Sequence, residues 1–244
     1  MKKFITIAVD AMGGDNAPYK IIDGIELHYK KDNNVFYKLF GDKNIIDPLI
    51  KKKSIDKNFI EVIHTNEKIK GEDSAFTAAK RGKKTSMWLA IESVKNKSSD
   101  IVISAGNTAA LLVIAKLNLK MIENIDKPAL SGLWPSKKGM SVVLDLGANI
   151  ECSDKNLIDF AIMGSSLFKS LYPEERAKVA LLNIGSEELK GNDVIKETYQ
   201  KLNQIVYEDF EFKGFIEGNH IMDGNVNVIV ADGFTGNVAL KTAE

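Results

Sequence analysis

Residues 4–18, F-I-T-I-A-V-D-A-M-G-G-D-N-A-P, form the stretch that decides the fold. Residues 4–9 are apolar and rich in β-branched side chains, which predicts a buried strand. Gly13 and Gly14 then allow the backbone to turn sharply, and Pro18 suits the first turn of a helix. A buried strand joined to a helix by a glycine-rich loop is the basic unit of an α/β fold.

The same order of elements continues along the chain. The pattern predicts further strands at residues 35–40, 59–63, 101–103, 129–133, 141–144, 179–182, 211–215 and 226–230. It predicts helices at residues 21–29, 44–53, 86–95, 108–119, 157–171 and 194–202, with a last helix after Gly236.

Short apolar strands that alternate with helices indicate an α/β fold with a mostly parallel sheet and helices on both faces. Residues 108–119 are apolar on nearly all sides, which predicts a buried helix. We expect a single α/β domain over residues 1–244. The chain stops just after the last predicted helix begins, so we also expect a C-terminal part to be missing.

The composition excludes several classes of protein. The 33 basic and 33 acidic residues balance, which argues against a dedicated nucleic-acid partner. No apolar run approaches the roughly 18 residues that a membrane span requires. The N-terminus lacks the apolar core of a signal peptide, and Cys152 is the single cysteine, so we expect a cytoplasmic protein.

Four junctions between a strand and a helix have a similar composition. In open α/β sheets, ligands bind beyond the carboxyl ends of the strands, so these junctions are candidates for a binding site. One Asp-Gly pair is only a turn signal, but four similar junctions favour a shared function. Their sequences are D-A-M-G-G-D-N-A-P at 10–18, S-A-G-N-T at 104–108, D-L-G-A-N at 145–149 and D-G-F-T-G-N at 232–237.

Two of these junctions also have simpler explanations. Residues 10–18 match neither nucleotide-binding glycine fingerprint, and taken alone they fit a tight turn equally well. Residues 104–108 would place side-chain donors and free helical amides around an anion or an oxyanion. Asn107 or Thr108 would also serve as an ordinary helix cap, and both roles can hold together.

Basic residues add a second candidate feature. Residues 80–86, K-R-G-K-K-T-S, concentrate positive charge before a predicted helix. They would bind phosphate or an acidic protein, or they form a solvated loop. Asn183 and Lys190 mark a possible fifth contributor at another strand end.

Six segments, in this order along the chain, resemble the bacterial phosphate acyltransferase family (PlsX). They are the four junctions above together with K-R-G-K-K-T-S-M at 80–87 and L-N-I-G-S-E-E-L-K-G at 182–191. Two positions depart from the family pattern. Asn16 stands where many members have His, so no general base is assigned there, and Ala109 stands where members have Gly.

The resemblance implies a reaction and a setting. Acyl-[acyl carrier protein] and phosphate would give acyl phosphate and free carrier protein, which feeds phospholipid synthesis. It implies a fold like that of isocitrate and isopropylmalate dehydrogenases and phosphotransacetylase. It also implies a cytoplasmic homodimer attached peripherally to the inner face of the cell membrane. We expect no cofactor and no metal.

The chemistry of this reaction explains why no catalytic triad is evident. Phosphate is already nucleophilic and a thiolate leaves readily, so the main tasks are positioning and oxyanion stabilisation. We expect catalytic roles for Asn107, Thr108, Lys190 and Asn237. We expect phosphate or substrate binding by Asp10, Gly13, Gly14, Asp15, Arg81, Lys84, Ser104, Gly106, Asn183, Asp232, Gly233 and Thr235. The aspartates would organise the loops, and Cys152 would be inert.

Alternative functions remain open at the level of sequence. A phosphotransacetylase that uses acyl-coenzyme A would need similar loops. A decarboxylating dehydrogenase would need a metal-binding carboxylate cluster and a nicotinamide site, for which there is no convincing motif. A non-catalytic protein that binds acyl groups or phosphate would bind acyl phosphate without turnover.

Overall fold

The computed structural model describes residues 4–32, 34–204 and 206–244, apart from the side chains of Ala75 and Arg81. The chain divides into two compact units, Met1–Lys120 and Met121–Glu244, and each contains its own sheet. The assignment of residues 1–244 to a single domain stays a prediction.

The first unit is a parallel α/β sandwich. Its four strands lie in the order β3-β2-β1-β4 and all pair in parallel. Its strands are β1 Ile5–Asp10, β2 Val35–Gly41, β3 Ile60–His64 and β4 Ile101–Ser104. Its α-helices are α1 Tyr19–Lys31, α2 Lys43–Ile50, α3 Ala75–Arg81, α4 Ser86–Lys95 and α5 Thr108–Leu119.

The second unit has a mixed sheet in the order β5-β6-β9-β7-β8. Its strands are β5 Ser131–Ser136, β6 Gly139–Leu144, β7 Ala177–Asn183, β8 Phe210–Glu217 and β9 Val228–Val230. Its α-helices are α6 Asp154–Leu171, α7 Asp193–Gln204 and α8 Gly233–Ala243. Only β5 and β6 pair antiparallel in the described sheet, because a two-residue connection cannot join parallel strands. The predicted α/β class with mostly parallel strands is confirmed.

Helix α6 forms the centre of the core of the second unit. Phe160 and Phe168 are fully buried against β6, β7 and β9. A Cβ on Gly164 would lie 2.7 Å from a methyl of Val228, so the helix packs closely on the sheet. The buried face of this helix extends to Phe168 and does not include Leu171. That residue is 45% exposed because it is the last residue of the helix.

Helix α5 departs from the expectation that it is buried. Ala110 and Ile114 are buried in a cluster with residues of α3 and α4. Leu117 and Leu119, in the last turn, are 56% and 44% exposed. The helix therefore buries only one face within this unit. Because its residues are apolar on nearly all sides, the sequence does not indicate which face that is.

The start of α8 also differs from the sequence prediction. The helix begins at Gly233, four residues before the expected start after Gly236. Asp232 precedes it in an extended conformation, and its Oδ1 accepts a hydrogen bond from the Thr235 amide at 2.8 Å. The stretch D-G-F-T-G-N is therefore a cap and a first helical turn, because Asp232 satisfies amides that would otherwise lack partners.

Candidate functional site

Asp10 and Ser104 join two of the predicted loops in the first unit. They are register partners at the carboxyl ends of β1 and β4. The carboxylate of Asp10 is almost completely buried and accepts a hydrogen bond from the Ser104 hydroxyl at 2.7 Å. The hydroxyl oxygen of Ser104 in turn accepts from the Gly106 amide at 3.1 Å. This chain of hydrogen bonds fixes the loop that precedes α5.

The two adjacent glycines permit the loops to approach each other closely. A Cβ on Gly13 would collide with the carboxylate of Asp10 and would lie 2.9 Å from the hydroxyl oxygen of Ser104. Gly14 has a φ of +91°, and a Cβ there would lie 2.5 Å from the carbonyl oxygen of Ala105. Both positions therefore require glycine, one for space and one for backbone conformation as well.

Asn107 is the cap of α5. Its Oδ1 accepts a hydrogen bond from the Ala110 amide at 2.9 Å. Its Nδ2 donates to the carbonyl oxygens of Gly71 at 2.8 Å and Asp73 at 3.2 Å. The capping role is thus confirmed for Asn107, whereas Thr108 is the first helical residue and is exposed.

A cavity of about 540 Å³ lies at this end of the first unit. Gly14, Asp15, Gly106 and Asn107 line it, and so does the segment 68–72. The first amides of α5 have no partners within the helix and carry the positive end of its dipole. The segment 68–72 was missed by sequence reasoning, because K-I-K-G-E has neither a helical nor a strand period.

Residues 80–86 do not form the single basic loop that was expected. They comprise the end of α3, the 3₁₀ turn Gly82–Lys84 and Thr85, whose hydroxyl caps α4. Lys80 Nζ lies 4.5 Å from the ring centre of Phe76, and the side chain of Lys84 is exposed. The prediction for Arg81 falls on a side chain outside the described part of the chain.

Asp145 organises the corresponding junction in the second unit. Its buried carboxylate accepts five hydrogen bonds, and four of them come from backbone amides. The amides belong to Leu130, Gly147, Ala148 and Asn149, and the fifth donor is the side chain of Asn149. Asp145 was quoted within a motif but not selected as a site residue, and its position after an apolar strand was the available signal.

The first turn of α8 packs against this junction. The Gly233 amide donates to the carbonyl oxygen of Asn149 at 2.8 Å, and Asn237 Nδ2 donates to that of Leu146 at 3.1 Å. A Cβ on Gly236 would collide with the carbonyl oxygen of Asp145. Asp232 binds both the amide and the hydroxyl of Thr235. Four predicted residues, Asp232, Gly233, Thr235 and Asn237, are thereby brought together.

Asn183 shapes a separate turn in the second unit. Its Nδ2 donates to the carbonyl oxygens of Gly185 at 3.1 Å and Lys190 at 3.2 Å. Gly191 has a φ of +93° and lies against the Asn183 side chain. The turn leaves Lys190 exposed, so its ammonium group is accessible to a ligand.

Cys152 lies in a second cavity of about 450 Å³, which Asp232, Phe234 and Thr235 also line. Burial raises the pKa of the Cys152 thiol above its ordinary value. A thiol that stays protonated at neutral pH is a poor nucleophile, which supports the expectation that this cysteine is inert.

The predicted residues thus fall into two sets. The first unit contains Asp10, Gly13, Gly14, Asp15, Lys84, Ser104, Gly106, Asn107 and Thr108, and the second contains Asn183, Lys190, Asp232, Gly233, Thr235 and Asn237. Their joint role in one site stays a prediction. Within the described part of the chain, no group of three or more His, Cys, Asp or Glu side chains is arranged to hold a metal ion.

The fold places the protein in a known structural class. The chain is similar to EutD phosphotransacetylase from Staphylococcus aureus, with a TM-score of 0.68, 16% identity and coverage of 99% of this chain and 82% of that one. A phosphotransacetylase from Streptococcus pyogenes matches with a TM-score of 0.69, 16% identity and coverage of 99% and 81%. The class is therefore the phosphotransacetylase-like α/β fold. The expected likeness to dehydrogenases stays a prediction.

The chain belongs to the family described as fatty acid synthesis protein, whose model matches residues 5–244. It is 73% identical to the phosphate acyltransferase of Pelagibacter ubique (strain HTCC1062), over all of this chain and 73% of that protein. It is 41% identical to the phosphate acyltransferase of Paramagnetospirillum magneticum, over all of this chain and 69% of that protein. The family resemblance drawn from the six segments is confirmed. No helix in the described residues is both long enough and apolar enough to cross a membrane.

Proposed function

We propose that this protein is an acyltransferase that moves a fatty acyl group from the thioester of acyl carrier protein to inorganic phosphate. The observation that carries this proposal is the 73% identity, over the whole chain, to a protein named phosphate acyltransferase. The product would be acyl phosphate for phospholipid synthesis.

The reaction places two demands on the protein. A phosphate oxygen attacks the thioester carbonyl carbon, and the carbonyl oxygen becomes a tetrahedral oxyanion. Collapse of this intermediate breaks the carbon–sulfur bond, and the thiolate takes the proton that the phosphate loses. The protein must hold phosphate in line with the carbonyl and stabilise the oxyanion with fixed donors.

The cavity of the first unit supports the first of these roles. Its wall includes Asn107, the cap of α5, and the positive end of the helix dipole beside that residue favours an anion. Gly14 and Gly106 present backbone without side chains, which allows a ligand to approach. Lys68 and Lys70 line the same cavity together with the acidic Asp15 and Glu72, so the support for phosphate comes from the backbone amides rather than from net side-chain charge. Asp10 is not among the residues that line this cavity, and its buried carboxylate accepts hydrogen bonds from the Ser104 hydroxyl and the Met12 amide.

The second unit has candidate residues of its own. The exposed Lys190 and the first turn of α8, with Asn237, are the residues we assign to this role. Replacement of Lys190 by Ala should raise the Michaelis constant for phosphate. If Lys190→Ala and Asn107→Ala both left that constant and turnover unchanged, these assignments would be wrong.

The carrier protein would dock on exposed lysines near the end of α3. Lys80, Lys83 and Lys84 are all exposed there, and acyl carrier proteins are acidic. The double change Lys80→Glu and Lys83→Glu should raise the Michaelis constant for the acyl carrier substrate and spare that for phosphate, because neither lysine is among the residues assigned to phosphate. Lys52→Glu, at an exposed lysine after α2, is the matched control.

A free-thiol assay tests the reaction itself. The purified protein is incubated with acyl carrier substrate, with and without phosphate, beside the Pelagibacter ubique relative as a positive control. Thiol release that requires phosphate and yields acyl phosphate supports the proposal. Release without phosphate would indicate a thioesterase, and binding of acyl phosphate without turnover would indicate a non-catalytic protein.

The acyl donor is tested in the same assay. An arm with acyl-coenzyme A is included because the solved structures of similar fold are named phosphotransacetylases. Higher kcat/KM with acyl-coenzyme A than with the carrier substrate would replace the proposed donor.

Homodimer formation and peripheral membrane attachment belong to the same proposal. Light scattering and flotation with anionic lipid vesicles measure them.

A further inference from the structure

The segment 67–73, which we name the strap, connects β3 to α3 along the cavity of the first unit. Its beginning is held by backbone pairing, because the Ser86 amide donates to the carbonyl oxygen of Glu67 at 3.0 Å. Its middle is held by Ile69, which is 8% exposed and packs in the same cluster as Met87 and Ile114. The strap is thus fixed at Glu67, just before the cavity, and at Ile69, which already lines it.

The end of the strap is held by Asn107. The two N–H groups of its side-chain amide donate to the carbonyl oxygens of Gly71 and Asp73, at 2.8 Å and 3.2 Å. The oxygen of the same amide caps α5 through the Ala110 amide at 2.9 Å. One side chain therefore joins the strap to the helix start where the ligand is expected.

The end of the strap also has internal structure. The Lys70 amide donates to the carboxylate of Asp73 at 2.9 Å, and the Asp73 amide donates to the carbonyl oxygen of Lys70 at 3.2 Å. A Cβ on Gly71 would meet no atom within 4 Å. The turn is therefore held to itself and to Asn107 rather than by packing at Gly71.

We propose that Asn107 is a positioning residue, a latch that holds the strap against the start of α5 as one wall of the cavity. This inference rests on the proposed acyl transfer and assigns Asn107 a role through the strap. With the wall in place, phosphate reaches the thioester and water is kept away. Without the latch, water would attack the carbonyl carbon and expel the thiol, which gives a free fatty acid in place of acyl phosphate.

Two substitutions remove the hydrogen bonds from Asn107 to the strap and keep an oxygen that can cap α5. Asn107→Asp keeps an oxygen for the Ala110 amide and removes both donors to the strap. Asn107→Ser keeps a capping hydroxyl without adding negative charge near phosphate. Asn192→Asp is the matched control, because the Asn192 side chain accepts from the Ile195 amide at the start of α7. Urea unfolding of each variant establishes that it is folded.

The first readout does not depend on activity. Hydrogen exchange of the strap amides, and trypsin cleavage after Lys68 and Lys70, report how often the strap opens. Loss of two hydrogen bonds should speed both by between about fivefold and a hundredfold in the Asn107 variants and leave Asn192→Asp unchanged. Unchanged strap exchange in both Asn107 variants would overturn the latch.

The second readout is the product ratio. Both Asn107 variants should raise the Michaelis constant for phosphate and shift the products from acyl phosphate toward free fatty acid. If hydrogen exchange of the strap became faster while the product ratio and the Michaelis constant for phosphate stayed at their wild-type values, the positioning role would be refuted. If the wild-type protein formed no acyl phosphate while its positive control did, the proposed function would fail. The strap exchange would still decide whether the latch exists.

Discussion

Two glycines in helices should respond in opposite ways to replacement by alanine. Gly24 lies in the middle of α1, and a Cβ there would meet no atom within 4 Å. Gly236 lies in the first turns of α8, and a Cβ there would collide with the carbonyl oxygen of Asp145 and lie 2.9 Å from its carbonyl carbon. The chemical change is the same, and only the surroundings differ.

The magnitudes follow from two competing terms. Alanine in a helix interior is more favourable than glycine by about 0.5–1 kcal/mol. For Gly24→Ala this term acts alone, so the free energy of unfolding should rise by about that amount. For Gly236→Ala the neighbour is backbone, which cannot rotate away, and overpacking of this kind costs about 1–3 kcal/mol. The steric term wins, and the variant should be destabilised.

Urea unfolding followed by tryptophan fluorescence measures both effects. The chain has two tryptophans, Trp88 in the first unit and Trp134 in the second. Gly24→Ala is measured in a Trp134→Phe background, and Gly236→Ala in a Trp88→Phe background. Each transition then reports the unit that carries the substitution.

The sign of each change decides the outcome. A Gly236→Ala variant at least as stable as its parent would show that α8 does not approach the 145–149 loop as closely as described. A Gly24→Ala variant that lost stability would show that the space beside α1 is filled.

Three further changes have defined outcomes. Ser104→Ala removes the donor to the buried Asp10 carboxylate, so unfolding free energy should fall by about 1–3 kcal/mol, and urea midpoints equal to wild type would contradict this. Cys152 should react with iodoacetamide more slowly than free cysteine at pH 7, because burial raises its pKa, and Cys152→Ser should keep full turnover. The Ser54 amide, with two lysines, lowers the pKa of Glu26 from 4.5 to about 2. The ionised Glu26 carboxylate makes its full contribution to stability above pH 4.5, and this contribution is lost as the pH falls toward 2. In the Glu26→Gln variant the free energy of unfolding should therefore decrease less steeply between pH 4.5 and pH 2. If the pH dependence of the urea midpoint were the same in Glu26→Gln and wild type, the ionised Glu26 carboxylate would not make this contribution to stability.

Much of the fold was predictable because its signals are local. Helix α4 begins at Ser86 as predicted, since the capping residue Thr85 and the apolar period lie within a few residues of each other. The start of α8 was misplaced because Gly236 suggested a loop, whereas the capping bond from Asp232 extends the helix through it. The exposed end of α5 was missed because apolarity on every side does not reveal which face has a partner.

The candidate site was predictable in part for the same reason. The junction loops could be located at strand ends, and six short segments in order were sufficient to identify the family. The strap had no signal of its own, since residues 68–72 have no period and no familiar motif. Its place beside the cavity depends on Ile69, which packs against helices that come later in the chain.

The sequence by itself determined the α/β class, the family and the order of the strands and α-helices apart from α3, because periodicity, capping and loop motifs are encoded within a few neighbouring residues. The tertiary structure alone decided which distant groups the polar side chains of the loops bind. Asn107 binds carbonyl groups 36 and 34 residues away, and Asp145 binds an amide 15 residues away. Such partners meet only when separate elements pack together, so their hydrogen bonds depend on the packed sheet and not on local sequence.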